Sequence, residues 1–497
     1  MVSIPLLPTQ TDVLIVGAGP AGLTLAASLR QLGVDHVLID RVTEVQPGSK
    51  AAAVQPRTLE YLERLEVSAR LVQAGERGRG FRLHDRDRTL LRAGYDDLPT
   101  PYPFVLLISQ QTTEAHLLRR LNELGGEVHR GHKFLGAATD FPGMVATVAG
   151  PDGVLRAISA RYIVGCDGVH SAVRATAGID FPGAAHEQRF AIADVRLSLD
   201  GDNAKSDTTF YLSANGMLLL SPLAGGLHRM VASAPSAAPP TPGDLERLLA
   251  ERGSRSSAAR VIEVVAASTY RVQERVAASF RAGNVFLVGD AAHTHSPAGA
   301  QGMNTGIQDA GNLAWKLHAV LTGLAPVELL DSYHRERHPV ATGMVSFTSQ
   351  FATLANLRDS VAGDLRNRVL AAAAATPGVT DWITTKLAQL DIAYTDEPDR
   401  GSPRIGGRVS PLTVPGTDLN WTLALPGDSG PASAHPVQHG VVTVQYVAGL
   451  DKALLVRPDG YLAADHVPTS ADAVLHDLSS YLPSDNTTAS ESHFRRS

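Results

Sequence analysis

The sequence predicts an α/β fold built on a parallel sheet, with an antiparallel sheet inserted into it and a small third domain near the C-terminus. Three observations predict it. The first forty residues run strand, glycine turn, helix, strand. The middle of the chain changes to residue-by-residue alternation of apolar and polar side chains. A Gly- and Pro-rich stretch after Gly401 then leads into further strand-like sequence. At 497 residues the chain has material for two or three domains, each with its own core.

Residues 11–16 are a β-branched apolar run that stops at glycine, and 23–32 follow with helical spacing before Gly33. Residues 36–39 form a second apolar run closed by Asp40. This order makes a βαβ unit, whose strands pair in parallel through a right-handed crossover. Residues 161–166 and 284–288 read as two more strands of that sheet. Between them, Val195, Leu197 and Leu199 alternate with Arg196, Ser198 and Asp200, and 210–212 pass through Ala214-Asn215-Gly216 into 217–220 as a hairpin. Residues 217–220 suit a core strand and a cavity wall equally well. Residues 232–243, which contain Pro235, Pro239, Pro240 and Pro242, read as a loop. Helical spacing returns over 304–321, further helices are expected from about 331 to 390, and 441–456 is strand-like. From Ser484 the chain is polar and reads as a disordered tail.

Composition narrows the function classes. With 44% apolar and 19% charged residues the chain is neither disordered nor fibrous. A net charge of −6 and a pI near 6.3 stand against a nucleic-acid partner. Cys166, the single cysteine, allows no intrachain disulfide and no cysteine zinc site, which fits a cytoplasmic protein, and it reads as a small buried hydrophobe. Residues 13–29 are uncharged, yet Gly17, Gly19, Pro20 and Gly22 make them strand, turn and helix rather than a membrane span. The first residues carry no basic segment, so neither export nor a membrane partner is expected.

Gly17-Ala18-Gly19-Pro20-Ala21-Gly22 joins the first strand to the first helix. The first glycine permits a tight turn, the second lets a pyrophosphate approach the backbone at a helix N-terminus, and the third lets helix and strand pack closely. Asp40 follows 18 residues after the last glycine, placed to accept hydrogen bonds from an unphosphorylated ribose, as in FAD or NAD. Asp167-Gly168-Val169-His170-Ser171-Ala172-Val173-Arg174 follows a second strand and Gly289-Asp290-Ala291-Ala292-His293 a third. Singly, each is an ordinary turn; in this order they point to one nucleotide site.

These three segments, with Arg57-Thr58-Leu59-Glu60, Gln110 in Ile108-Ser109-Gln110-Gln111-Thr112-Thr113-Glu114, and Pro297-Ala298-Gly299-Ala300-Gln301-Gly302-Met303-Asn304, resemble the class A flavoprotein monooxygenases of the p-hydroxybenzoate hydroxylase fold. The resemblance covers nearly the whole chain and is nearest in look to aromatic polyketide hydroxylases and related phenol hydroxylases. It implies a Rossmann-like FAD-binding domain made of 1–80, 100–175 and 280–395, and an inserted antiparallel-sheet substrate domain made of 81–99 and 176–279. A thioredoxin-like domain over 400–483 and a tail over 484–497 complete it; 454–461 resembles the end of such a domain. Without a CxxC pair that domain reads as structural or oligomer-forming.

Roles follow by resemblance. Gly17, Gly19 and Gly22, with Pro20 and Ala21, would hold the FAD pyrophosphate, and Asp40 and Arg41 the adenosine side. Gln110, Gly289 and Asp290 would serve the ribityl and pyrophosphate region, and Asp167 and Gly168 both FAD and the nicotinamide. Residues 297–304 would line the isoalloxazine, with Pro297, Gly299, Gly302, Met303 and Asn304 at a helix N-terminus whose free N–H groups suit the negative charge of reduced flavin. Three departures stand out: Lys50 where many relatives carry an arginine that touches the cofactor, Ser296 for a proline and Ala300 for a glycine.

The implied activity is hydroxylation of a phenolic or polycyclic aromatic small molecule. NADPH or NADH supplies hydride, O2 is the co-substrate, a C4a-hydroperoxide is the oxidant, and no side chain serves as a catalytic nucleophile. A monomer or homodimer is expected. Baeyer–Villiger or epoxidising chemistry on the same fold remains open, as does a non-catalytic escort protein. No metal is expected. His293 and His295 lack a third ligand nearby, and His334 and His338 have Arg335 where a zinc protease needs glutamate, so the latter pair reads as a solvated helix end before Pro339.

Overall fold

The computed structural model describes residues 7–44, 51–198, 207–234, 236–256, 259–296, 299–355, 357, 360–395, 404–416, 418–427, 433–437, 440–465 and 467. The strand Gln10–Val16 sits between parallel neighbours, Leu155–Gly165 on one side and His36–Asp40 on the other. Val285–Leu287 and His129–Arg130 extend the parallel set outward. Val13, Leu14 and Ile15 are wholly excluded from solvent, because a parallel strand covered on both faces has no polar side to show. The helices Pro20–Gln31 and Gly302–Leu321 pack against each other on this sheet.

A second sheet of eight strands carries the alternating sequence. Its longest members, Gly183–Ser198 and Arg260–Val276, run antiparallel, and the hairpin Thr208–Ser213 with Gly216–Leu223 turns at Asn215 and at Gly216, whose φ of +107° suits glycine alone. One pairing departs from the antiparallel expectation: Gly80–Asp85 joins Thr208–Ser213 in parallel.

Two sequence readings need correction. Residues 232–243 are only partly a loop: the strand Leu227–Ala234 reaches into them, and the helix Pro242–Arg252 begins at their end. Thr241 caps that helix reciprocally with Asp244, and Pro242 occupies the first turn, where a missing N–H costs nothing. His334 and His338 do not end a helix either. Pro339 lies inside the continuous helix Asp331–Ala355, with its ring on the exposed side. A single lost backbone bond there is offset by buried ion pairs made by Glu336 and Arg337, described below.

The helices Asp331–Ala355, Ser360–Ala374 and Val379–Leu387 cover one face of the second sheet. A five-stranded sheet, in the order Ser433–Val437, Gly440–Val447, Trp421–Pro426, Leu454–Val456 and Leu462–Ala464, packs against the far side of the helix Gly302–Leu321. Trp315 and Trp421 meet edge to face there, with ring centres 5.5 Å apart. Among the described residues no helix is long and apolar enough to cross a membrane.

Candidate active site

The glycine-rich turn shows which of its residues the backbone requires and which it leaves for a ligand. Gly17 has φ +105°, and a side chain there would begin 2.4 Å from the carbonyl oxygen of Cys166. One at Gly22 would begin 1.9 Å from the carbonyl oxygen of Gly17. Both positions are therefore closed by packing. At Gly19 nothing lies within 4 Å of where a side chain would start, and no side chain caps the helix that follows. The open glycine at an uncapped helix N-terminus fits the pyrophosphate of a dinucleotide.

Gly19, Pro20 and Ala21 border a cavity of about 850 Å3 that extends to the inner face of the second sheet. Gln110, Gly168, Gly289 and Asp290 border it as well, and so do Gly299, Gly302 and Met303. The structure thus gathers most of the sequence-predicted residues around one space. Several others stay out of its wall. The Asp40 carboxylate accepts hydrogen bonds from the backbone N–H of Ala18 at 2.7 Å and of Val42 at 2.8 Å, and Arg41 is exposed. Asp167 accepts from Ser171 Oγ at 2.5 Å and from Ala172 N at 2.7 Å, which turns its carboxylate onto the start of the helix Ala172–Thr176. Asn304 is fully buried: Oδ1 accepts from Gln55 N at 2.8 Å, and Nδ2 donates to the carbonyls of Ala53 and Ala300. Its side chain ties the loop before the helix Gly302–Leu321 to the chain after residue 51. Lys50 and Pro297 lie outside the described residues.

The wall opposite the turn is mostly apolar. Phe81, Leu83, Phe210, Leu219 and Val231 come from the second sheet, and Phe351, Ile383 and Leu387 from the covering helices. This also separates the two readings of residues 217–220: Leu219 faces the cavity, while Leu218 and Leu220 pack on the sheet's other side. A cavity with dinucleotide features at one end and an apolar, aromatic-lined chamber at the other is suited to hold a flavin against a flat organic substrate.

A sequence profile described as an FAD binding domain matches residues 10–348. The chain belongs to the FAD-dependent aromatic hydroxylases. The 6-methylpretetramide 4-monooxygenase of Streptomyces rimosus is 34% identical, with 92% of each chain covered. The solved structure of an anhydrotetracycline hydroxylase from Streptomyces rimosus superposes with a TM-score of 0.76 at 31% identity, covering 94% of this chain and 98% of that one. An aromatic hydroxylase from angucycline biosynthesis gives a TM-score of 0.72 at 27% identity, covering 93% and 98%. Membership makes the chain an FAD-dependent aromatic monooxygenase, an enzyme rather than an escort.

Sequence reading missed two buried ionic clusters of this hydroxylase. In the first, Asp309 Oδ2 lies 2.7 Å from His293 Nε2 and accepts from Gly289 N at 3.3 Å, while Oδ1 accepts from Arg337 Nε at 2.7 Å. Burial raises the Asp309 carboxyl, but the Arg337 guanidinium and the contact with His293 more than offset this and hold it below the usual carboxylate range. His295, two residues on, borders the cavity, and its Nδ1 is 2.5 Å from the Ser296 carbonyl. Burial, reinforced by neighbouring His293, pulls its imidazole down to about 4. The neutral ring thus presents Nε2 as an acceptor beside Gly302, where a side chain would begin 2.7 Å away.

In the second cluster Glu336 accepts from Lys316 Nζ at 2.8 Å and from both terminal nitrogens of Arg457, at 2.9 and 2.8 Å. Arg457 also holds Asp459, whose backbone carbonyl accepts from Arg57 Nη2 at 2.5 Å. Burial pushes the Glu336 carboxyl up, yet Arg457 and Lys316 keep it far below the usual range, and burial pulls the Lys316 ammonium down to about 8. A signal for both clusters was present in the sequence. Gln308, Asp309, Asn312 and Lys316 are the polar residues of the otherwise apolar stretch 306–317, with Asp309, Asn312 and Lys316 at three- and four-residue spacing, and all are buried.

Proposed function

We propose that this enzyme is a NAD(P)H-dependent hydroxylase of a polycyclic phenolic substrate, seated between the flavin ring and the inner face of the second sheet. The continuous cavity joining Gly19 to Phe210 and Phe351 carries the reading, because it holds a dinucleotide end and an apolar, aromatic-lined chamber. FAD bound here would supply the redox chemistry, taking hydride from a nicotinamide and using O2 so that one oxygen enters the substrate and the other leaves as water. The chain's own residues bind and orient. Gly17, Gly19 and Gly22 form the pyrophosphate turn, with Gln110 and Asp290 beside the linking chain. The backbone at Gly302 to Asn304 offers a helix N-terminus to the negative edge of the reduced ring. The apolar wall keeps water from the reacting oxygen.

In this reading the strands Gly80–Asp85 and Arg88–Gly94 and residues 176–279 form a substrate domain on an FAD-binding core, and the five-stranded C-terminal sheet is a thioredoxin-like domain without redox chemistry. The carboxylates of Asp40 and Asp167, now held by their own backbone, keep further acceptor positions for ribose and nicotinamide.

The test is NADPH and NADH consumption by the purified flavoprotein, alone and with phenols from one ring to four, under isotope-labelled O2. Slow oxidation alone, acceleration by a polycyclic phenol and a product heavier by one labelled oxygen are expected. Fast oxidation that ignores every phenol would refute the reading, and a lactone from a ketone would move it to Baeyer–Villiger chemistry.

A further inference from the structure

On the cavity side of the second sheet, Asp194, Arg229 and Ser221 are cross-strand partners, and Ser221 shares a 2.8 Å hydroxyl contact with Thr208. This polar row interrupts a wall made mostly of Phe, Leu and Val. Arg229 is 2% exposed and still borders the cavity. Its Nε donates to Asp194 Oδ1 at 2.7 Å and its Nη2 to Asp194 Oδ2 at 2.8 Å, a bidentate fork. Nη1 is left over: it is buried and has no hydrogen-bond partner among the described residues. The hydroxyl of Tyr270, which lines the same cavity two strands away, is buried and unpartnered too.

Two buried donors without acceptors of their own, on residues that border one cavity, are costly unless a ligand supplies oxygens. The charge state says which kind. Arg229 is already neutralised by Asp194, so the pair offers N–H groups without a net charge to recruit an anion. Burial raises the Tyr270 phenol far above its ordinary range, so it donates. A carboxylate would add a third buried charge to a balanced pair; a ketone or quinone oxygen would not.

We propose that Arg229 Nη1 and Tyr270 Oη form a two-donor subsite that seats neutral carbonyl oxygens of a quinone- or ketone-bearing aromatic substrate and so selects which ring is offered to the flavin. The proposal rests on the hydroxylase reading above and adds to it the class of oxygen that the far wall recognises.

Binding is measured on the oxidised FAD-loaded enzyme, without reductant, from the perturbation of flavin absorbance. Three probes are compared: a dihydroxyanthraquinone, the matching dihydroxyanthracene lacking the ring carbonyls, and the matching anthraquinone carboxylate. Wild type is expected to bind the quinone at least ~10-fold more tightly than the anthracene. Tyr270→Phe, which removes one oxygen and keeps the ring, should weaken quinone binding about 10-fold and leave the anthracene unchanged. Arg229→Gln combined with Asp194→Asn keeps the site neutral and should act in the same direction. Equal weakening of both ligands would overturn the proposal by showing a structural role only, as would tighter binding of the carboxylate than of the quinone. If no probe perturbs the flavin the subsite assignment also fails, while labelled oxygen in the product of another phenol would leave the hydroxylase reading standing.

Discussion

Asp309 Oδ2 lies 2.7 Å from His293 Nε2, and solvent reaches neither side chain. The same carboxylate carries Arg337 on its other oxygen and the Gly289 N–H at the base of the Gly289-Asp290 turn. One acidic residue thereby joins the Gly289-Asp290 turn, the segment that follows it and two helices. Asp309→Asn keeps the shape but removes the charge that balances a fully buried guanidinium. The expected loss is about 3 to 5 kcal/mol in unfolding free energy, the usual cost of breaking a buried pair. Urea denaturation followed by flavin fluorescence measures it. Adding Arg337→Met should recover part of the loss, and no recovery would mean that Arg337 is not the partner that matters.

Gly22 and Gly19 of the first turn should separate by variant. Gly22→Ala drives a methyl into the Gly17 carbonyl and should give a poorly folded, flavin-free protein. Gly19→Ala meets no atom within 4 Å and should fold with an unchanged melting temperature while losing FAD affinity at least ~10-fold, because its methyl enters the space assigned to the pyrophosphate. Circular dichroism melts and equilibrium dialysis against FAD read the two effects independently. Unaltered FAD binding by Gly19→Ala would remove that assignment.

Acid should act on the C-terminal junction. The folded-state pKa of Glu336 is depressed below its ordinary 4.5, so the unfolded chain takes up this proton first. The stabilisation is complete above pH 4.5 and is lost as pH falls through the lower folded value. Tryptophan emission from the Trp315–Trp421 contact reports on the same junction. In Glu336→Gln the emission change should come at a higher pH and at lower urea concentration than in the parent.

His295 gives a second window with the same sign. Its folded value of about 4 lies under the ordinary 6.5, so between these limits the unfolded chain binds a proton that the folded ring refuses. Native stability and FAD retention should therefore decline as pH drops from 6.5 towards 4, with the decline levelling below that value. His295→Gln, which cannot protonate, should flatten this part of the profile when released flavin is measured after ultrafiltration. An unchanged slope would assign the acid sensitivity to another group.

The parallel strands and the glycine turn were legible in the sequence because local rules suffice for them: β-branched runs, positive-φ glycines, an acidic residue at a strand end. The alternation at Val195 and Leu197 announced the inserted sheet for the same reason. The parallel pairing of Gly80–Asp85 with Thr208–Ser213 joins residues over a hundred positions apart, and no local pattern encodes it. Pro339 misled because a proline argues for a helix end on local grounds, while the helix is held by Glu336 and Arg337 from either side of the fold. Arg229 and Tyr270 look like ordinary strand residues until the partners of their donors are counted.

The helix Gly302–Leu321 touches the cavity with its first turn and the C-terminal unit with its later turns, through Asn312 and Trp315, and Lys316 is joined to that unit by way of Glu336 and Arg457. The C-terminal unit is thus not an interchangeable accessory. A chimera that replaces it with the corresponding part of a relative inherits the fate of Glu336 and Lys316, which remain behind in the parent framework and need an Arg457 and an Asp459 delivered to them. For recombination between members of this family, the crossover point that preserves a working flavin site is set by where these charges find partners, and the sheet boundary after residue 395 cuts straight through them.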